Sequence, residues 1–242
     1  MSLRIICGIA LFALSVSPSP AAAQAPQPPR SLVETLKDDV KSVVWEKSAS
    51  LLSVATAVAL FASPFDDNLT YSASCSTFLK TTFDPWARVV GQEWFLGSGA
   101  LATYAIGRMF DLPRAAAAGG DLIEAQIIAG ASTLALKHAV RRVRPDGEPR
   151  SFPSGHAAGT FAAATVVQRH FGLKGAVPAY TAAVLISGAR MQANSHYATD
   201  LIMGAALGIL SGRAATFELG PRRVRVSPMT TAGGIGIGAS VQ

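Results

Sequence analysis

Three short segments in the second half of the chain combine cations, histidines and a carboxylate at spacings suited to phosphate chemistry. In the first, Lys137 is followed seven positions later by Arg144, directly before Pro145. Lysine is a point charge and arginine a planar fork, and together they suit the several oxygens of a phosphate. Seven residues are close to two helical turns, so the spacing predicts both cations along one side of a helix that ends near Pro145. A basic helix end is also common on solvated surfaces, so this pair alone does not identify a site.

The second segment reads Pro-Ser-Gly-His at 153–156 and directly precedes an apolar stretch of helical length. Ser154 is predicted to cap the N-terminus of that helix, which leaves the backbone N–H groups of Gly155 and His156 free to bind an anion. His156 then lies in the first turn, within reach of whatever those groups hold. A simple turn with a capping residue would show the same four residues.

The third segment places Asp200 four positions after His196, with Arg190 six positions before that histidine. Residues four apart are neighbours on one face of a helix. A carboxylate beside an imidazole fixes its tautomer and stabilises the imidazolium, which activates a histidine nucleophile. Surface pairs at this spacing are common, but the residues that flank Asp200 are mostly small or apolar. A buried charge needs a partner or a purpose, which favours a site.

In this order, the three segments resemble the signature of the type 2 phosphatidic acid phosphatase and vanadium haloperoxidase superfamily. The resemblance covers residues 121–213, less than half of the chain, and depends on specific side chains at fixed spacings. It implies a helical bundle with the site at one end and a double displacement that uses neither a metal nor a cofactor. One position departs from the pattern, because Ala189 stands where the family usually has serine, which removes a hydrogen bond to phosphate or to a neighbouring side chain.

The resemblance also implies a role for each residue of the three segments. His196 attacks phosphorus and becomes a transient phosphohistidine, and Asp200 orients it. His156 protonates the leaving oxygen and then helps a water molecule to hydrolyse the intermediate. The phosphate oxygens are held by side chains and one amide from all three segments, namely Lys137, Arg144, Ser154, Gly155 and Arg190.

The elements that must position these groups are apolar and of helical length. Of the 242 residues, 50% are hydrophobic and 15% are charged, and mean hydropathy is +0.33, which excludes a disordered chain. An all-α bundle of about six helices is predicted, over 48–63, 94–110, 121–137, 155–169, 176–190 and 198–212. Asp121 is interpreted as the cap of the third helix, with Glu124 three positions on as either part of that cap or a buried partner for a cation. Residues 222–226 and 233–241 are predicted to form a short extended arm.

The chain is divided into four parts by composition. Residues 1–23 are interpreted as an export signal, because Arg4 precedes an apolar run at 5–16 and alanines at 21–23 offer a cleavage site; an uncleaved anchor is the alternative. A proline-rich linker and amphipathic lead-in (24–47), the helical phosphatase domain (48–213) and a C-terminal arm (214–242) follow. Loss of Cys7 with the signal would leave Cys75 unpaired, so no disulfide is expected and Cys75 is expected to be a small buried residue.

The sequence gives conflicting indications about the membrane. The helical segments are short for spans. A cleaved signal followed by six crossings would put the site on the cytoplasmic side, whereas the basic residues near 169–174 and 213–225 put it outside by the positive-inside rule. We expect an exported, membrane-associated protein whose site faces the exterior or periplasm, with a soluble periplasmic protein as the alternative.

The leading functional hypothesis is a phosphatase acting on lipid phosphates, of the phosphatidic acid or isoprenyl diphosphate type. Three alternatives stay open: a soluble exported acid phosphatase of broad range, a vanadate-dependent haloperoxidase, and an envelope protein that binds an anion without turnover. A net charge of +6, from 21 Lys+Arg against 15 Asp+Glu, favours an anionic partner. Because the basic residues are not interleaved with aromatic ones, nucleic acid is not expected. The oligomeric state is not indicated.

Overall fold

The computed structural model describes residues 48–216, 224–231 and 234–241. The described residues from Leu52 onward belong to one unit, and the packing below lies within it. The helices are α1 (Ser48–Ala62), α2 (Asp66–Ser74), α3 (Asp84–Val90), α4 (Glu93–Met109), α5 (Pro113–Val140), α6 (Gly155–Gln192) and α7 (Ala198–Ala215). A 3-10 turn (Ser63–Phe65) joins α1 to α2, and a π-helical turn (Leu79–Phe83) leads into α3. The predicted all-α class is confirmed.

The core lies where α5, α6 and α7 cross, and it is built largely from alanine and glycine. One buried cluster joins Ala125 and Ala129 of α5 to Ala158, Ala162 and Val166 of α6. Glycines spaced four apart on α7 permit the close approach of α6. A Cβ atom at Gly208, for example, would lie 2.3 Å from the carbonyl oxygen of Ala158. The Ala/Gly-rich composition therefore reflects backbones packed closely against one another.

Helix α5 begins eight residues before the predicted start. It starts at Pro113, a residue favoured in the first turn because it has no N–H to satisfy. Gly119 lies inside the helix, where a Cβ atom would stand 2.3 Å from the backbone nitrogen of Tyr104 on α4. Gly119 therefore serves close packing against α4 and does not end a helix. The interpretation of Asp121 and Glu124 as an N-terminal cap is wrong.

Other boundaries follow the apolar pattern more closely. The two segments predicted at 155–169 and 176–190 form the two parts of α6, which are separated by a kink at Gly172, where φ is 65°. Helices α2 and α3 had no counterpart among the predicted helices. Strands β1 (Val224–Thr231) and β2 (Gly234–Val241) pair antiparallel, with Val224 opposite Val241, and they overlap the stretches predicted to be extended.

Two further expectations can be compared with the described residues. Cys75 is exposed, so the expectation of a buried thiol is wrong: it follows α2 at the surface, outside the core.

The stretch Ser48–Ser74 is long and apolar enough, with a mean hydropathy of 1.6, to cross a membrane by the criteria of length and composition. The predicted signal and linker at 1–47 lie outside the described residues, and the division into four parts stays a prediction.

Candidate active site

The three motif segments meet at one cavity of about 390 Å³. It is bordered by the C-terminal turn of α5, the loop 141–154, the start of α6, the end of α6 and the loop before α7. Six of the eight predicted site residues line it, namely Lys137, Arg144, Gly155, His156, Arg190 and His196. The other two, Ser154 and Asp200, are completely buried, and the Ser154 N–H donates to the Asp200 carbonyl at 3.0 Å. The structure thus brings all eight residues together.

The N-terminus of α6 has the predicted capped form. Ser154 has extended backbone angles, and its hydroxyl accepts from the Ala157 N–H at 3.4 Å. This arrangement turns the first amides of α6, including that of Gly155, toward the cavity end of the helix. His156 follows in the first turn, and its Nε2 atom is buried without a hydrogen-bond partner among the described residues. The helix start therefore offers the cavity both N–H donors and an imidazole.

Lys137 and Arg144 reach the cavity from different structural elements. Helix α5 ends at Val140 because Arg141 adopts a left-handed conformation, with φ of 52°. The prediction that both cations lie on one helix is therefore wrong. Arg144 belongs to the following loop, which folds back through a hydrogen bond from its N–H to the Glu148 carbonyl at 2.8 Å.

The remaining cation, Arg190, is placed near the end of α6. One guanidinium nitrogen, Nη2, donates to the Ser195 hydroxyl at 2.7 Å, and Nη1 lies 3.9 Å from the Asp84 carboxylate on α3. Preceding it, Ala189 is completely buried and packs with Ala87 and Ile186. The family's serine is thus replaced here by an apolar contact with α3.

His196 and Asp200 are neighbours, although not as residues on one helix face. Helix α7 begins at Ala198, so His196 lies in the loop before it. Asp200 accepts from the N–H of Tyr197 at 2.9 Å, which closes the first turn of the helix. The distance from His196 Nδ1 to Asp200 Oδ2 is 3.7 Å, and His196 is 3% exposed. The Nε2 side of the ring remains for the cavity, which His196 lines.

The environment sets the charge state of the ionisable groups. Burial, followed by the cations Arg190, Lys137 and Arg144, lowers the pKa of His156 to about 3. Burial also lowers the pKa of His196. The pKa of Lys137 falls to about 8 because of burial and the charge of Arg144. At neutral pH the cavity therefore holds cations and neutral imidazoles, a surrounding that favours an anion.

The carboxylate of Asp200 is ionised for a different reason. Burial by itself would raise its pKa, but hydrogen bonds from its neighbours outweigh burial and hold the pKa below its usual value. Two of these donors were not identified from the sequence: Ser151, whose hydroxyl donates to Oδ2, and Arg142, which donates to Oδ1 at 2.9 Å. In the sequence alone, Arg142 cannot be distinguished from a solvated basic residue at the end of a helix.

The cavity is also lined by three residues that the sequence motifs did not indicate. Gln92, Glu93 and Trp94, at the start of α4, complete the lining. All three side chains are exposed. They lie next to the helix start predicted at residue 94, and that boundary is the only sequence signal that could have drawn attention to them.

Comparison with known proteins gives a consistent result. A family model described as the PAP2 superfamily matches residues 146–219. The lipid A 1-phosphatase of Porphyromonas gingivalis is 40% identical over 87 residues, which are 34% of this chain. The chain spans only 20% of the length of that curated relative.

Two crystal structures share the fold. LpxE of Aquifex aeolicus aligns with a TM-score of 0.54 and 23% identity, over 62% of this chain and 94% of that one. A transmembrane PAP2-type phosphatidylglycerolphosphate phosphatase from Bacillus subtilis aligns with a TM-score of 0.55 and 20% identity, over 70% and 94%. Residues 146–219 are thus similar to the PAP2 superfamily, and the two likenesses show that the chain shares the fold of these proteins.

Proposed function

We propose that this protein is a phosphatase that hydrolyses phosphomonoesters or diphosphates of lipids through a phosphohistidine formed at His196. The observation that carries the proposal is the convergence of three cations, the N-terminus of α6 and two imidazoles on one cavity. In phosphoryl transfer the protein mainly positions the reacting groups and stabilises the developing charge. The imidazoles and the cations of this cavity are placed to do these two things.

In the first step, His196 Nε2 attacks phosphorus and the bond to the leaving oxygen breaks. Asp200, 3.7 Å from Nδ1, stabilises the positive charge that develops on the ring. His156 gives a proton to the leaving oxygen. Its low pKa belongs to the cavity without an anion, and a bound phosphate would offset the surrounding cations and raise that pKa into a useful range.

In the second step, water attacks the phosphohistidine and the N–P bond breaks. His156, now neutral, accepts the proton of the water, and inorganic phosphate leaves. The three phosphoryl oxygens are held throughout by Lys137, Arg144, Arg190 and the Gly155 N–H, with Ser154 fixing the helix start. These donors are in place before the reaction, so little reorganisation is needed as charge develops.

A lipid phosphate is the substrate class that the comparisons favour. The similar proteins include a lipid A 1-phosphatase and a transmembrane phosphatidylglycerolphosphate phosphatase. The apolar stretch Ser48–Ser74 agrees with a protein that works at a membrane. We include in the proposal an envelope location, with the cavity facing the exterior or periplasm. Hydrolysis of a membrane-impermeant phosphate ester by intact spheroplasts would support this orientation, and hydrolysis only after lysis would contradict it.

The test of the function is phosphate release by the purified full-length protein in EDTA. The panel contains phosphatidic acid, phosphatidylglycerol phosphate, an isoprenyl diphosphate, a glycolipid 1-phosphate and the soluble ester p-nitrophenyl phosphate. We expect release from at least one lipid, undiminished by EDTA and well above release from the soluble ester. A strong preference for the soluble ester would favour the broad-range phosphatase. Halide oxidation with vanadate and peroxide in place of phosphate release would favour a haloperoxidase. The absence of any turnover would favour a protein that only binds an anion.

A further inference from the structure

The carboxylate of Asp200 is held by more donors than a histidine partner needs. Its side chain is completely buried. Oxygen Oδ2, the one that faces His196, accepts from the Tyr197 N–H at 2.9 Å and from the Ser151 hydroxyl. Oxygen Oδ1 accepts from Arg142 Nη1 at 2.9 Å. The position of the carboxylate beside the imidazole is therefore fixed from both of its oxygens.

Arg142 is itself fixed by contacts on several sides. Its Nη2 donates to Asp66 Oδ2 at 2.9 Å, and its Nη1 also donates to the Thr199 hydroxyl at 2.7 Å. The guanidinium lies 4.1 Å from the centre of the Tyr197 ring. The planar fork is thus shared between two carboxylates, a geometry that lysine could not reproduce.

Asp66, the first residue of α2, completes this arrangement. It is 3% exposed, and it accepts from the Thr199 N–H at 3.1 Å and from the Thr199 hydroxyl at 2.6 Å. Three groups with alternating charge therefore lead from α2 to the nucleophile: Asp66, Arg142 and Asp200. Neither Asp66 nor Arg142 lines the cavity.

The order of charges has a consequence for His196. Arg142 alone beside Asp200 would neutralise the carboxylate that must stabilise the imidazolium, and a buried charge without compensation is unfavourable. Asp66 balances Arg142 and so leaves Asp200 with its negative charge. The other charged or titratable groups that line the cavity with His196 come from four elements: Glu93 of α4, Lys137 of α5, Arg144 of the following loop, and His156 and Arg190 of α6.

We propose that Asp66 and Arg142 are positioning residues for the nucleophile, which hold Asp200 in place and preserve its charge beside His196. Their effect on turnover rests on the phosphatase function proposed above. Their effect on the His196 ring does not, because it follows from the hydrogen bonds and charges alone. The positioning proposal and the proposed phosphatase function can therefore be disproved separately.

The principal variant is Asp66→Asn, which keeps the shape of the side chain and removes its charge. We expect kcat to fall about tenfold with KM within about twofold, because outer partners act on the reacting group and not on substrate binding. The acid limb of the kcat/KM profile should move to lower pH, since His196 would lose its proton more readily. Asp67→Asn is the matched control: it makes the same charge change at the next position, where the side chain is exposed, and should change neither quantity.

Further variants separate positioning from a general loss of structure. Asp66→Glu should recover part of the lost kcat because it restores the charge, whereas Arg142→Lys should not recover the wild-type profile because the fork is lost. Thermal unfolding is measured for each. If Asp66→Asn lowers only the melting temperature and leaves kcat and the pH profile as in the wild type, the proposal is overturned.

A measurement without turnover keeps the proposal testable if the variant is poorly active. The pKa of the His196 ring is followed by NMR with ¹³C-labelled histidine, and the signal is assigned with His196→Asn. We expect this pKa to be about 1 lower in Asp66→Asn than in the wild type, equivalent to a tenfold change in the protonation equilibrium. An unchanged pKa contradicts the proposal. If the His196 pKa differs between the variant and the wild type as expected, but the wild type releases no phosphate, only the proposed function is contradicted.

Discussion

The described part of the chain contains two histidine–aspartate pairs that are alike in composition and differ in surroundings. His170 and Asp121 join α6 to α5 with Nε2 and Oδ2 only 2.6 Å apart. His196 and Asp200 are 3.7 Å apart. His170 lies fourteen residues beyond His156 on α6, which is about 21 Å at the rise of an α-helix, although the kink at Gly172 follows it. The closer pair is the one outside the cavity.

The difference shows what converts such a pair into a site. In the first pair each group satisfies the other, and both side chains are partly buried between two helices. In the second pair the carboxylate is satisfied by other donors, so the imidazole keeps its capacity to bond elsewhere. Cations and a helix N-terminus then surround that imidazole. A tight pair joins helices, whereas a looser pair with a well-held carboxylate leaves a nucleophile available.

The largest expected difference between the two pairs comes from replacing each histidine. His196→Asn should lower kcat for phosphate release by about 10⁴-fold or more, because removal of a nucleophile leaves only binding and charge stabilisation. His170→Asn should leave kcat within about twofold. Steady-state rates of both purified variants check this, and a similar loss in both would mean that the site has been assigned to the wrong pair.

Replacing the carboxylates should give the next largest difference. Asp200→Asn is expected to reduce kcat by about 10³-fold, since the imidazolium loses its stabilising charge while most of the geometry remains. Asp121→Asn should affect the melting temperature and not the rate. Rates and thermal unfolding are measured on the same preparations. Equal rates for Asp200→Asn and the wild type would remove the reason to treat His196 as an activated nucleophile.

The charge around the cavity should appear in the pH dependence. With a pKa of about 8, Lys137 is protonated at neutral pH and loses its proton as pH rises through that value. The kcat/KM of the free enzyme should then fall about tenfold by pH 9. Lys137→Arg should abolish this alkaline limb because arginine stays charged. An identical limb in the variant would assign the titration to another group.

The smallest expected effects come from two glycines of α7. A Cβ atom at Gly204 would lie 2.5 Å from the Ser154 carbonyl, beside the site, and one at Gly212 would lie 2.6 Å from Thr165 Cβ. Both Gly→Ala variants should lose about 1–3 kcal/mol of unfolding free energy by overpacking. Only Gly204→Ala should also lower kcat, by a few-fold, because it displaces the capped start of α6. Chemical denaturation and steady-state assays distinguish them, and equal kcat values for the two variants would count against a role for that helix start.

The sequence predicted the all-α class and the six motif residues that line the cavity, together with the buried Ser154 and Asp200, because each motif carries its chemistry within a few positions. It failed where the structure depends on distant contacts. The start of α5 was misplaced because the capping pattern at Asp121 and Glu124 does not reveal that Gly119 packs against Tyr104 of another helix. Asp66 and Arg142 come together across a long stretch of chain, and neither the charge of Asp66 nor its position after an apolar segment indicates a partner.

Covalent trapping of the enzyme tests the central claim most directly. The wild type is mixed with a ³²P-labelled lipid phosphate and stopped in alkali within the first turnover, beside His196→Asn and His170→Asn. We predict a label that is stable in alkali, lost in acid and located on the peptide that contains His196. It should be present in His170→Asn and absent from His196→Asn. Turnover by the wild type with no such label, or a label on a different residue, would contradict the phosphohistidine mechanism.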